Sequence, residues 1–211
     1  LKQAIIAMVQ KASEYAHAQM DGALKLQLIN TLRSVSEGKI FVELERVRLT
    51  KTLASMQESK GDVAAACKTM QDTQDETLGG MDEREKTDVL LAQLRLCLET
   101  SDYVRAQITS RKIQTKVFKD PELDDLKIRF YDLIVRFHSH SHNWWEIFQA
   151  YRATWDSSAV RADEAQTLLC LKRQVLYLVL SPASNEQVEM THLLLAEKEL
   201  LASTLGLIAL A

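Results

Sequence analysis

Three short stretches decide how this chain folds: GDVAAAC at Gly61–Cys67, SDYVRAQ at Ser101–Gln107 and HNWWEIF at His142–Phe148. Each opens with a small or polar residue, continues with Asp62, Asp102 or Asn143, and then turns apolar. Asp62 and Asp102 lie 40 positions apart, and Asn143 follows 41 positions later. Asp and Asn favour the position just before a helix, where the side-chain oxygen accepts a hydrogen bond from an orphan N–H of the first turn. Val63, Tyr103 and Trp144 are then expected to anchor each new helix. The fourth position after each cap, Ala66, Ala106 or Ile147, is expected where two helices approach closely. Each stretch reads as the turn inside a helix hairpin. The spacing predicts an all-α, TPR-like, right-handed α-solenoid of stacked hairpins with a repeat of about 40 residues.

The flanking sequence agrees. Asp82-Glu83-Arg84-Glu85 reads as a capping-box-like start, with acidic residues at the positive end of a helix. Asp120-Pro121-Glu122 sets a cap before proline at the first helical position. Pro182 follows an apolar helix expected to end near Leu180. Helical spacing of apolar residues recurs at Leu90, Leu91, Leu94, Cys97 and Leu98. It recurs at Leu123, Leu126, Phe130, Leu133 and Phe137, and again at Leu168, Leu171, Val175 and Leu178. One segment carries two stripes, Ile40-Leu44-Val47 and Val42-Leu49-Leu53-Met56. That pattern predicts a helix held between neighbours on two sides.

Composition narrows the possible functions. The chain has 211 residues, enough for one or two domains, with 46% apolar and 26% charged residues. Only 6 Gly and 2 Pro leave little material for the tight turns of an all-β fold. A net charge of −3 gives no general attraction to nucleic acid or to an acidic membrane. No apolar run approaches the roughly 18 residues that a membrane span requires. Cys67, Cys97 and Cys170 are odd in number, widely spaced and without a CxxC pair, so they read as buried thiols of a reducing compartment. The chain begins at Leu1 and closes on the apolar stretch Leu205–Ala211, which reads as a piece of a longer cytosolic or nuclear protein.

Candidate sites are few. His138-Ser139-His140-Ser141-His142 is the one metal-like cluster. On a continuous helix only His138 and His142 would share a face, with no Asp, Glu or Cys at ligand spacing beside them. A metal-dependent enzyme built on that pair is the alternative from another functional class, and a polar turn between helices explains the run better. His17 and His192 are isolated. Arg46, Arg48 and Lys51 form a short basic patch that could meet a protein partner, or RNA in a helical-repeat binder. Glu43 and Glu45 on the same helix offer the competing reading of a solvated face with i,i+3 and i,i+4 pairing. Trp144 and Trp145 could stack on a base, but at a hairpin start core packing is the better reading. The acidic Asp124 and Asp125 read as dipole-complementing residues of a helix start. Gly79-Gly80 reads as a linker. Nucleophile-elbow, P-loop, zincin and dinucleotide motifs are absent, so no catalytic residue, cofactor or metal is expected.

The run Leu24–Ala54, LKLQLINTLRSVSEGKIFVELERVRLTKTLA, resembles a family of 26S proteasome lid subunits, with Glu37–Ala54 as its most specific part. That family is regulatory-particle non-ATPase subunit five (subunit twelve in mammalian naming), within the PCI-domain proteins. The likeness continues through GDVAAACKTMQDTQDETLG, LLAQLRLCLETSDYVRAQITSRKI and QVLYLVLSPASNEQ, from about Leu24 to Gln187. It is weak at His138–His142 and after Gln187. The resemblance implies a helical-repeat solenoid over 1–180, and the start of a PCI module over 181–211 whose winged helix would follow Ala211. It implies a non-catalytic scaffold of the proteasome lid in cytoplasm and nucleus, acting in ubiquitin-dependent degradation. The partners it implies are other lid subunits, including the deubiquitinating one, and the proteasome base and core, with no nucleic acid and no membrane. The paralogous fourth subunit of the COP9 signalosome is the competing reading, and the Glu37–Ala54 run and SPASNEQ favour the proteasome.

Overall fold

A computed structural model describes residues 1–19, 22–73 and 75–196. Leu205–Ala211 and the side chain of His17 lie outside the described residues. The described residues form helices and turns, with no strand among them. The helices are α1 (Lys2–Gln19), α2 (Gly22–Ser36), α3 (Glu43–Ser59), α4 (Val63–Gln71), α5 (Asp75–Leu78) and α6 (Glu83–Glu99). They continue as α7 (Tyr103–Lys112), α8 (Asp124–His140), α9 (Trp144–Trp155), α10 (Ser158–Arg161), α11 (Glu164–Leu180) and α12 (Asn185–Ala196). The chain divides into two compact units, Leu1–Thr109 and Ser110–Ala211.

The three stretches form one kind of turn. Gly61, Ser101 and His142 all adopt the left-handed conformation, with φ of 85°, 58° and 52°. The next N–H closes each helix on a carbonyl five residues back: Asp62 on Gln57 (3.0 Å), Asp102 on Cys97 (2.8 Å) and Asn143 on His138 (3.1 Å). Gly61, Ser101 and His142 donate to Glu58, Leu98 and Ser139, which completes the Schellman pattern. The same Asx residue then starts the next helix. Asp62 accepts from the Ala65 N–H at 2.9 Å, and Asp102 accepts from Arg105 at 3.1 Å. Asn143 departs from the expectation, since its side chain caps nothing.

In the first unit α3 lies against α2 and α4, and α4 lies against α6. Val9, Ile29, Leu32, Leu49 and Leu53 form one core. Along α6 Leu90, Leu91, Leu94, Cys97 and Leu98 are buried as the spacing predicts, together with Val89 and Leu96. Each such leucine contributes about 1.5–3 kcal/mol relative to an exposed one. Gln93 crosses to α4 and donates to the Met70 carbonyl at 2.9 Å.

Helix α3 does carry apolar residues on two sides, but the Ile40-Leu44-Val47 stripe does not form. Gly38 takes a φ of 71°, Lys39 is extended and Ile40–Val42 is a 3-10 turn, so the α-helix begins only at Glu43. Helical phase cannot be projected through that break. Val42 is buried to 1% while Ile40 stands 93% exposed. The Asp82 start caps α6 through the Arg84 N–H, yet Glu85 does not complete a capping box and pairs with Arg48 instead.

In the second unit α9 lies between α8 and α11. Phe148, Trp155, Cys170, Leu171, Leu178 and Leu194 form its core, so α12 is tied to α11. Asp120 and Pro121 open a 3-10 turn, Pro121–Leu123, and α8 follows from Asp124. Helix α11 ends at Leu180, just before Pro182.

Candidate interaction surface

Sequence reasoning singles out Arg46, Arg48 and Lys51, and the structure holds all three in ion pairs within the first unit. Arg46 Nη1 lies 3.2 Å from Glu43 one turn back, as i,i+3 pairing predicts, and Arg48 Nη1 lies 2.6 Å from Glu45. Two of the cations also cross to the next hairpin. Arg48 donates from Nε and Nη2 to the two carboxylate oxygens of Glu85, at 2.5 and 2.8 Å. Lys51 pairs with Asp88. A third bridge, from Arg95 of α6 to Glu58 of α3, runs with opposite polarity.

All three bridges have a sequence separation of 37 residues. A constant offset along two helices means that α3 and α6 run side by side in the same direction. Glu58, Glu85, Asp88 and Arg95 are the members that residue-by-residue reading misses. The signal was present as opposite charges at 48/85, 51/88 and 58/95. The bridge from Arg48 holds the Glu85 carboxyl below its usual range against the opposing effect of burial, and the bridge from Arg95 does the same for Glu58.

The histidine run does not make the face that a metal pair needs. Helix α8 ends at His140, and His142 sits in the left-handed turn, so it does not continue the helix one turn beyond His138. The His138 ring contacts Phe137 edge-on at 4.9 Å, while the His142 ring lies 5.2 Å from Trp144. Burial pushes the His138 imidazole below its ordinary value, opposed by Glu146. Among the described residues no group of three or more His, Cys, Asp or Glu side chains could hold a metal ion. The tryptophan rings are engaged inside the fold. Trp144 stacks on Tyr177 at 6.0 Å, and Trp145 meets Phe148 at 5.3 Å.

The cysteines are free and buried. Burial, reinforced by the adjoining Cys67 thiol, pushes Cys97 up to about 12. Burial likewise raises Cys170. Thiols held protonated in this way are poor nucleophiles. Asp124 is more than a residue at a helix start. It is buried, and its carboxylate accepts from the Ser158 N–H at 2.7 Å and from the Ser158 hydroxyl, which fixes the start of α10.

Exposed apolar side chains remain on α11 and α12, including Leu176, Val179, Val188 and Leu193, and on α7 at Val104 and Ile108. No described helix is long and apolar enough to cross a membrane.

The chain is similar to known proteins over most of its length. A family model described as "PSMD12/CSN4, N-terminal" matches residues 1–163. The "26S proteasome non-ATPase regulatory subunit 12" of Dictyostelium discoideum is 43% identical over 190 residues, which is 90% of this chain and 42% of that protein. Its "homolog A" in Arabidopsis thaliana is 39% identical, over 95% of this chain and 50% of that protein. The "26S proteasome regulatory subunit RPN5" of Saccharomyces cerevisiae is 36% identical, over 91% of this chain and 44% of that protein. The chain thus spans about half the length of these relatives, or somewhat less.

Proposed function

The chain belongs to the PSMD12/CSN4 N-terminal family, and from that premise we propose that it is a non-catalytic scaffold of the 26S proteasome lid. The observation that carries this reading is its 43% identity, over 90% of its length, to a protein named as a proteasome regulatory subunit. Its role is to hold other subunits through protein–protein contacts and so to serve ubiquitin-dependent degradation. Helix hairpins suit it to that role, because helix faces can bury against other polypeptides. The partners are other lid subunits, including the deubiquitinating one, and the proteasome base and core, in cytoplasm and nucleus. Residues 1–180 serve as the helical-repeat arm, and 181–211 open the PCI module.

Affinity purification of the tagged full-length protein from its own cells tests the reading. Co-purification of lid subunits in stoichiometric amounts is the expected result. Recovery of signalosome subunits without lid subunits would overturn it.

A further inference from the structure

A cavity of about 170 Å³ lies in the second unit, where α8 and α11 flank α9. Ile128, Asp132 and Val135 reach it from α8, and Gln166, Leu169 and Arg173 reach it from α11. Within each trio the residues are three, four or seven apart, so each trio is one helix face. The buried Val160 of α10 and Cys170 of α11 also line it. The Cys170 thiol is already committed to the Tyr151 carbonyl at 3.1 Å, which leaves the interior essentially apolar.

Opposite charges border this cavity, and the fold leaves both unused. Asp132 and Arg173 are exposed, and among the described residues neither forms an ion pair. Arg173 lies over the Tyr151 ring at 5.3 Å, a contact that consumes none of its N–H donors. The Tyr151 phenol, which also lines the cavity, feels both charges. Burial pushes it up, Arg173 opposes that and Asp132 adds to it. The phenol therefore keeps its proton at neutral pH and can donate it in a hydrogen bond.

We propose that this cavity binds a free aliphatic α-amino acid. The carboxylate meets the Arg173 guanidinium and the Tyr151 hydroxyl, and the ammonium meets Asp132. The side chain enters between Ile128, Val135 and Leu169. One acid and one base beside the same opening ask for a zwitterion. The interior asks for a hydrocarbon group. The volume, well under the roughly 300–1,000 Å³ of a site for a drug-sized molecule, asks for something small. The inference goes beyond the scaffold reading and does not depend on it.

Titrating the isotopically labelled chain with L-leucine tests it by NMR. Saturable shifts are expected in the amides of Ile128–Val135 and Gln166–Arg173, with a Kd of about 1 mM or tighter. L-Leucinamide lacks the carboxylate and N-acetyl-L-leucine lacks the ammonium. Each is expected to bind about tenfold more weakly, or worse. Glycine leaves the apolar interior empty and should be weaker still. Asp132→Asn and Arg173→Gln both weaken leucine binding. Asp132→Asn leaves the fold intact, because its side chain is exposed and outside any ion pair, so its result stands even if Arg173→Gln loosens the Tyr151 contact. No saturable shifts, shifts elsewhere, or undiminished binding by Asp132→Asn would overturn the proposal. Leucinamide binding as tightly as leucine would overturn it too, since the cavity would then read a chain terminus.

Discussion

Arg48 of α3 and Glu85 of α6 face each other through two parallel hydrogen bonds of 2.5 and 2.8 Å, and they fasten one helix hairpin to the next. Lys51–Asp88 and Glu58–Arg95 repeat the bridge at the same offset. The side chains of the first pair are 45% and 31% exposed, so solvent screens much of the attraction. A double-mutant cycle on Arg48→Met and Glu85→Gln is expected to give a coupling of about 0.5–1 kcal/mol that shrinks in high salt. The swap Arg48→Glu with Glu85→Arg should recover part of it. Urea unfolding of the four cycle proteins and of the charge-swapped variants measures both.

Ser101 and His142 occupy the left-handed conformation that Gly61 adopts without a side-chain penalty. An L-residue there costs about 1–2 kcal/mol, partly offset by the greater unfolded-chain entropy of glycine. Ser101→Gly and His142→Gly are therefore each expected to raise stability by about 0.5–1 kcal/mol, and Gly61→Ala to lower it by a similar amount. Thermal unfolding gives the sign directly.

Ala66 and Ala106 have no accessible surface, while Ala64 on the same helix as Ala66 is exposed. Leucine at position 66 or 106 must force neighbouring helices apart, at a cost of about 1–3 kcal/mol. Ala64→Leu is expected to change stability by less than about 0.5 kcal/mol. Denaturant midpoints for the three variants decide the matter.

Burial alone would raise the Asp124 carboxyl, but its hydrogen bonds from Ser158 hold it below the usual carboxylate range. A depressed folded-state value means stability that is present above the unfolded value of 3.8 and is lost as pH falls through the folded one. Asp124→Ala should cost about 2 kcal/mol at neutral pH, because it removes bonds to a charged acceptor. It should also flatten the decline in stability below about pH 4. Unfolding measured from pH 7 to pH 2 tests the magnitude and the slope together.

Cys97 and Cys170 are held as thiols by burial, and Cys67 is buried beside Cys97. The native chain is expected to resist iodoacetamide at pH 7.5, and all three thiols should react once urea unfolds it. Mass spectrometry of alkylated protein reads the count.

Much of the hairpin scheme was legible because turns are local. Asp62 and Asp102 cap as their side-chain chemistry requires, and the three positions four residues beyond the caps, Ala66, Ala106 and Ile147, are all fully buried. Val63, Tyr103 and Trp144, expected as anchors, are only half-buried. The Asn143 cap was misread because Asn and Asp serve this position equally well in sequence, and only the built turn shows that the amide caps nothing.

The sequence by itself determined most helix ends, and stripes such as Leu90–Leu98, because capping and the 3.6-residue period act within a few residues of the chain. It also carried the family likeness, since sequence similarity needs no coordinates. Tertiary structure alone decided which charges meet. Arg48 had Glu45 one turn away, yet it also engages Glu85, 37 residues along, because two helices pack in parallel. It likewise decided that Ile40 faces outward, since a left-handed Gly38 and a 3-10 turn reset the helical phase before α3 begins. Long-range pairing and the phase of a break depend on how whole helices pack, and no local rule of spacing contains that information.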